Sequence, residues 1–459
     1  MTMGGVAAKS LGVIVILLVT RTLSEPDIQV WLSFSLLISL QYLADFGFAP
    51  SIARVIAYAF GGAVTIEENQ SKDTLKNLGK PNWELVGTIY ATLQKIYFRL
   101  NVIAFVGLLT LGTALIFSPI QQMDNPQDGW IAWAIILFVS AFYIRGNIFF
   151  AYLEGVGKVA ILRRWEMLFH LLRAVSSLVI LFFEGGVLPL IAVNQCWLFL
   201  NVIRNRYLSH KVYEGKLKEI KYRPFDKTVY GLVFSKSWKS ALGQMFTLGI
   251  TQLTALLYGT IGNTTSVVSY QFSLRVLQMI TDFSSSPFYS QIPFYNMLMA
   301  RKEIDTLLKK AAKSMRLSYW VYVVGVVSAG VVLPYVLVFI DSNASFVAST
   351  IWALMILGIF GERYGAMHIQ LYTTTNHVLW HISSTVTGSL FLLTLLSCYS
   401  FLGIYAFPLS FLVCNYGFFA WYNASQVYKT FPIRFWEFEY KVSIPPFLFL
   451  IANLLVVAL

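Results

Sequence analysis

The sequence predicts an all-α polytopic membrane protein. It reads as two six-helix bundles, related by a parallel internal repeat, around a central cavity, with an extra C-terminal membrane helix. Three observations predict this. Of 459 residues, 57% are hydrophobic and only 12% charged, with a mean hydropathy of +0.65, whereas soluble chains carry about 25% charged residues. Apolar runs of spanning length recur along the whole chain. The Lys and Arg residues collect in alternate loops, as they do on the cytoplasmic side of membrane proteins.

A spanning helix needs about 20 mostly apolar residues. Such runs lie near 4–23, 29–57, 96–118, 130–152, 159–183, 187–207, 234–260, 265–293, 317–340, 350–371, 378–401 and 404–426. The first follows Lys9 and could pass for a signal peptide. It has no small-residue cleavage site and a second apolar segment follows at once, so it reads as the first membrane helix. The loop 61–95, with Glu67, Glu68, Lys72, Asp73 and Lys76, reads as a solvated cytoplasmic excursion. The loops 119–129, 184–186, 261–264, 341–349 and 402–403 hold no Lys or Arg and are assigned outside. The stretches 61–95, 208–230 and 297–312 are assigned inside, with the N-terminus. The expected organisation is an N-terminal bundle 1–208, a basic linker 209–230, a C-terminal bundle 231–428 and a tail 429–459. The apolar run 442–459 reads as a thirteenth membrane segment, although Pro445 and Pro446 disfavour continuation of a helix through its first turn.

Two echoes indicate duplication. Asp45-Phe46 with Pro50 and Asp282-Phe283 with Pro287 share one spacing. Leu188-Pro189-Leu190 matches Phe407-Pro408-Leu409, with Val159 and Val378 at equal distances upstream. Six spans per copy is even, so both copies insert in the same orientation, the parallel kind of repeat. Pro50 and Pro287, each five residues after an aspartate, are the hinge candidates.

Charges inside apolar runs are costly, at roughly 2.5–3.5 kcal/mol for a central Arg even on mild insertion scales. Arg54, Arg145, Arg173, Arg275 and Arg363 are the candidates to line a cationic cavity, with Arg54 near enough to an end to serve only as a snorkelling anchor. Asp45, Glu166, Asp282 and Glu362, with His170, are the candidates for ion coupling. The competing reading is that each acid locks to an arginine. Glu362 and Arg363, as neighbours, point about 100° apart on a helix.

Three polar stripes emerge at helical spacing. They are Arg163, Glu166, His170 and Arg173; Gln271, Arg275, Gln278, Asp282, Ser285 and Tyr289; and Gln244, Thr247, Thr251, Thr254 and Tyr258. Stripes of this length cannot face lipid, and three of them favour a wet cavity.

Several classes are excluded. The net charge of +12 sits in loops on one side and no nucleic-acid motif accompanies it. Cys196, Cys398 and Cys414 lie in apolar runs without paired or metal spacing. Glu154-Gly155-Val156-Gly157-Lys158 lacks the phosphate-loop spacing and follows a membrane helix, so it reads as a tight turn. His377 and His381 have no further ligands. No catalytic constellation, metal site or cofactor site is expected.

Val19-Thr20-Arg21-Thr22-Leu23-Ser24 closes the first span. Leu43-Ala44-Asp45-Phe46-Gly47-Phe48 with Arg54 occupies the second, and Tyr152-Leu153-Glu154-Gly155-Val156-Gly157-Lys158 ends the fourth. This pattern resembles the Wzx-type polysaccharide (O-unit) flippases of the multidrug/oligosaccharidyl-lipid/polysaccharide exporter superfamily. The long loop 61–95 and the apolar tail depart from that family. The resemblance implies a bacterial cytoplasmic (inner) membrane protein of O-antigen and lipopolysaccharide biosynthesis. It implies transport of oligosaccharide repeat units on undecaprenyl pyrophosphate to the outer leaflet by alternating access, and contacts with a polysaccharide polymerase and chain-length machinery. Guanidinium groups suit a pyrophosphate. The alternatives are a drug/cation antiporter of the same superfamily, which needs an acidic cavity, and a membrane glycosyltransferase or polymerase, which needs a large outer loop or an acidic metal site.

Overall fold

A computed structural model describes residues 3–43, 48–63, 81–219, 225–246, 250–375, 377 and 379–458. Asp45 and Thr247 lie outside the described residues, as do the side chains of Pro50, Arg54 and Gln244. Among the described residues every regular element is helical, and the chain is a multi-pass membrane protein. The described residues of the twelve expected spans fall almost entirely on helix. Among the described residues six stretches are long and apolar enough to cross a membrane: Trp83–Gln121, Pro126–Gly155, Val159–Phe182, Val187–Gly215, Ile304–Phe339 and Trp380–Thr430. The last holds two expected spans, joined through Gly403, whose φ of 53° permits the reversal.

The chain packs as two compact units, Gly4–Ile261 and Gly262–Leu459. The first contains α1 (Met3–Thr22), α2 (Glu25–Leu43), α3 (Phe48–Phe60), α4 (Trp83–Gly107), α5 (Thr113–Gln121), α6 (Pro126–Gly155), α7 (Val159–Phe182), α8 (Val187–Lys211), α9 (Lys216–Glu219), α10 (Lys227–Gln244) and α11 (Ile250–Ile261). The packing boundary thus falls after α11, whereas the repeat boundary read from sequence falls in the linker. The two boundaries describe different things, contact and ancestry.

One loop expectation is corrected. Residues 83–95 are not a solvated excursion but the first turns of α4. Val86, Ile89, Tyr90, Leu93, Ile96 and Tyr97 recur at helical spacing and bury against Ile52, Ile56, Ile148 and Tyr152. The linker 208–230 is also mostly built. α8 runs to Lys211, a tight turn at Val212–Gly215 leads to α9, and α10 starts at Lys227. Asp226 caps α10 by accepting from the Thr228 and Val229 amides, at 2.7 and 3.2 Å. The Tyr213 hydroxyl donates to the Val156 carbonyl at 2.9 Å, Leu217 and Val229 are buried, and the Asp226 amide donates to Thr92 Oγ1 at 3.1 Å. These contacts fasten the basic segment to the end of the first unit.

The tight turn expected at 154–158 is present. Gly157, at φ 76°, donates to the Glu154 carbonyl, and Lys158 donates to that of Leu153 at 2.8 Å. This is the paired bonding of a Schellman stop, which ends α6 and starts α7.

In one of the three polar stripes the described end is a helix seam. Thr254 and Tyr258 on α11 are each only 5% exposed, in the packing of α11 against α2 and α5. There the Gln29 side-chain amide donates to the Gly259 carbonyl at 2.8 Å. Small and hydroxylated residues let membrane helices approach closely and hydrogen-bond across the seam, which sequence spacing alone does not distinguish from a wet face.

The second unit contains α12 (Thr264–Tyr289), α13 (Ile292–Ala300), α14 (Ile304–Phe339), α15 (Ser349–Thr373), α16 (Trp380–Leu402), α17 (Ala406–Cys414), α18 (Ala420–Thr430), α19 (Phe435–Val442) and α20 (Ile444–Ala458). With 36 residues, α14 is about 54 Å long, well beyond the roughly 30 Å hydrocarbon layer. The excess sits at its basic start, where Lys309, Lys310, Lys313 and Arg316 are exposed. α15 is buried along most of its length, so it forms the centre of the unit. The tail is a bent helix pair, α19 and α20 meeting at 54°. Pro445 and Pro446 open α20, where a first-turn proline lacks only an amide that has no helical partner anyway. Both tail helices pack on α14.

Candidate functional site

α7 and α8 are consecutive helices joined by a short turn. Asn194 meets Ser177, Trp197 meets Ser176 and Arg204 meets Phe169. Position rises on one helix as it falls on the other, so the pair is antiparallel. α7 carries the stripe Arg163, Glu166, His170 and Arg173. α8 answers with Asn194, Trp197, Asn201 and Arg204 at the same i, i+3, i+7, i+10 spacing, one helix face.

Arg204 is the centre of this polar seam. It lies inside α8 and is only 7% exposed. Its Nη2 donates to Asn201 Oδ1 at 2.7 Å and to Asn205 Oδ1 at 2.6 Å, and its Nε donates to Asn205 Oδ1 at 3.2 Å. Its guanidinium lies over the Phe169 ring, 4.7 Å from the centroid. Its Nη1 is buried without a protein partner among the described residues, so one donor of the group is unsatisfied. The missed signal was there to read: the spacing Asn194, Trp197, Asn201, Arg204 repeats that of the α7 stripe.

The charges around it do not cancel. Arg163 binds both acids, with Nη2 3.1 Å from Glu154 and Nη1 3.0 Å from Glu166. The locking reading therefore holds for Glu166, with Arg163 rather than Arg173 as partner. Arg173 Nη2 stands 3.5 Å from His170 Nδ1. Three guanidinium groups thus stand against two carboxylates. Trp165, Phe169 and Trp197 form an edge-to-face series beside them, at 6.2 and 5.4 Å between centroids.

The remaining candidates are distributed elsewhere. Arg145, on α6, is exposed and lies over Phe98 at 5.9 Å, away from the α7–α8 seam. Arg363 lies in α15, 4% exposed, with Nη2 buried and unpartnered. Arg145 and Arg363 each precede the last residue of their helix by ten positions, the equivalent placement expected of the repeat, yet one is open and the other enclosed. Glu362 is half-buried beside Arg363; Arg275 is half-buried and Asp282 exposed on α12. Pro50 stands in the first turn of α3 and Pro287 in the last of α12.

The second unit holds a polar cluster that the sequence reading passed over. Glu439 of α19 and His368 of α15 are 1% and 0% exposed and 2.9 Å apart, Oε1 to Nε2.

These features define a helical, multi-pass fold with buried cationic positions in each unit. No protein-family profile matches the sequence. No curated protein matches it either. Solved structures do share its fold. An inward-facing multidrug resistance MATE family transporter of the MOP superfamily superposes with a TM-score of 0.67 at 12% identity, over 92% of this chain and 96% of that one. The lipid II flippase MurJ, in an inward closed conformation, gives 0.63 at 11% identity, over 98% and 91%. A MATE protein in a bent conformation gives 0.51 at 12%, over 91% and 94%. The chain has the MATE/MurJ fold.

Proposed function

We propose that the chain is a flippase carrying undecaprenyl-pyrophosphate-linked oligosaccharide repeat units from the cytoplasmic to the outer leaflet of a bacterial inner membrane, by alternating access. The observation that carries this reading is Arg204, buried between apolar helices with one donor direction unfilled, in a net-positive seam lined by Trp165, Phe169 and Trp197. A pyrophosphate is a multivalent oxyanion, and a charge-assisted hydrogen bond from a guanidinium nitrogen to it is among the strong ones. Sugar rings present apolar faces that pack on aromatic rings. The fold supports transport, and the Wzx-type pattern around Asp45 and Glu154 supports the lipid-linked sugar. Under this reading the chain is not an enzyme, its N-terminus is cytoplasmic, and Arg54, Arg145, Arg173, Arg275 and Arg363 contribute to the path. A drug or cation antiporter is the second reading, supported by the MATE fold alone and opposed by the excess of guanidinium groups.

Depleting the protein in its host is expected to accumulate a lipid-linked oligosaccharide on the inner leaflet, read by mass spectrometry of extracted lipids. An unchanged lipid-linked pool together with increased drug sensitivity would favour the antiporter.

The driving force gives a second expected outcome. An anionic head group moving outward leaves the negative interior, which contributes about 2.3 kcal/mol per charge per 100 mV if the full field is crossed. In liposomes with a potassium-diffusion potential and no proton or sodium gradient, flipping toward the positive side should accelerate, and reversal of the potential should slow it. Rates indifferent to its sign would point to charge-compensated exchange through Glu166, Asp282, Glu362 or Asp45.

A further inference from the structure

The tail is tied to the second unit at one buried point. Glu439 Oε1 accepts from the Tyr364 hydroxyl at 2.9 Å and from the Tyr428 hydroxyl, and Glu439 Oε2 accepts from Ser443 at the joint between α19 and α20. His368 Nδ1 is 2.8 Å from the Tyr364 carbonyl, and its Nε2 is 2.9 Å from Glu439 Oε1. A carbonyl can only accept, so Nδ1 carries a hydrogen. The carboxylate oxygen facing Nε2 already accepts from two hydroxyls. The Nε2–Oε1 contact therefore closes only with one further proton between them. Without it, two lone pairs face each other at hydrogen-bond distance in a site with no water exposure, an arrangement that low dielectric makes costly.

We infer that the His368–Glu439 pair is a proton-binding site that clasps the tail helices α19 and α20 to the bundle: the clasp is closed with the proton bound and opens when it is lost. The surrounding groups leave the two partners to each other. α15 presents Tyr364 and His368, α18 presents Tyr428, and α14 presents Tyr319, which lies within the field of the carboxylate and whose hydroxyl has no protein partner. Arg363 of α15 and Tyr416 act on that same Tyr319. On α19 itself Glu437 and Lys441 are exposed, and α20, Ile444–Ala458, contains no titratable side chain. No other cation has an ion-pair contact with Glu439 among the described residues, so a proton on His368 has no substitute there. The sign follows directly. The closed state holds one proton more than the open pair at alkaline pH, so from mildly acidic pH upward closure is lost as pH rises. This site stands on its own geometry, whatever molecule the protein transports.

The test is thiol labelling of the full-length protein in liposomes. Cys196, Cys398 and Cys414 are first replaced by serine or alanine. A single cysteine is then placed at Val442, which is 1% exposed, or, as the control for intrinsic thiol reactivity, at Tyr440, which is 71% exposed. The ratio of the two labelling rates is expected to rise about tenfold or more between about pH 6 and pH 9, the scale of losing one charge-assisted hydrogen bond. Glu439→Gln and His368→Gln each remove the shared proton, so in either variant the ratio should be flat across the range, at whichever level it settles. A flat ratio with the pair intact, or a rise that persists in both variants, overturns the proposal. Should one variant be lost from the membrane, the profile with the pair intact and the other variant still decide it.

Discussion

Replacing Arg204 with alanine is expected to cut flipping by at least about 30-fold, the equivalent of roughly 2 kcal/mol, the lower end of what truncating a hydrogen-bonded buried charge costs in recognition. The protein should remain in the membrane at normal level. The structural argument is the division of labour within one side chain. Nε and Nη2 are used up on Asn201 and Asn205, the face of the guanidinium is used on Phe169, and Nη1 alone is left. Those internal contacts hold the group still, and the remaining donor is what a phosphate oxygen would take. Lysine keeps the charge but loses the fork and the ring stacking, so Arg204→Lys should recover only part of the rate. Arg204→Met keeps the packing on Phe169 without charge and should behave as alanine does. Export would be assayed as lipid-linked oligosaccharide reaching the outer leaflet, with membrane abundance measured in parallel. Normal export in the alanine and methionine variants would remove Arg204 from the site. Disappearance of both from the membrane would mark it as a helix-packing residue.

Much of the fold was legible because lipid imposes a simple rule: apolar runs near 20 residues long are helices. The described residues of the expected spans lie almost entirely on helix. What escaped was where helices exceed or depart from that rule. α4 begins at Trp83, well before the apolar run, because its first turns are amphipathic and pack on protein, and a search for uniform hydrophobicity does not see amphipathic turns. The enclosure of Arg204 escaped for a different reason. It stands seven residues before Lys211, the basic end of α8, and only the packing against Phe169 shows that it is enclosed. The Thr254 and Tyr258 stripe was read as a wet face, yet it is a seam, and hydroxyl groups serve both uses equally well in sequence. Glu439 and His368 were invisible as a pair because 70 residues separate them and only the fold of the tail onto α15 brings them together.

Arg363 offers the sharpest separation of function from architecture, through stability rather than activity alone. It is 4% exposed in the middle of the most enclosed helix of its unit, and its Nη2 meets no acceptor. A buried charge without full compensation lowers stability. Replacing such groups by apolar side chains of similar volume is neutral or stabilising by about 1–4 kcal/mol in measured cases, whereas breaking a satisfied buried pair costs about 3–5 kcal/mol. Arg363→Met preserves the aliphatic stem and much of the volume. If the charge is kept for a transported anion, the variant should melt at the same temperature or several degrees higher while export falls at least about tenfold, since one charge-assisted contact to phosphate is worth about 1.5–3 kcal/mol. If instead Arg363 exists to hold Glu362 in place, the melting temperature should drop. In that case the double variant Arg363→Met with Glu362→Gln should restore it, because the uncompensated carboxylate has gone with its partner. Melting in detergent, followed by intrinsic tryptophan fluorescence, reads the first quantity, and the outer-leaflet assay reads the second. A rise in stability with unchanged export would show that Arg363 serves neither purpose and would leave the cationic path to the α7–α8 seam.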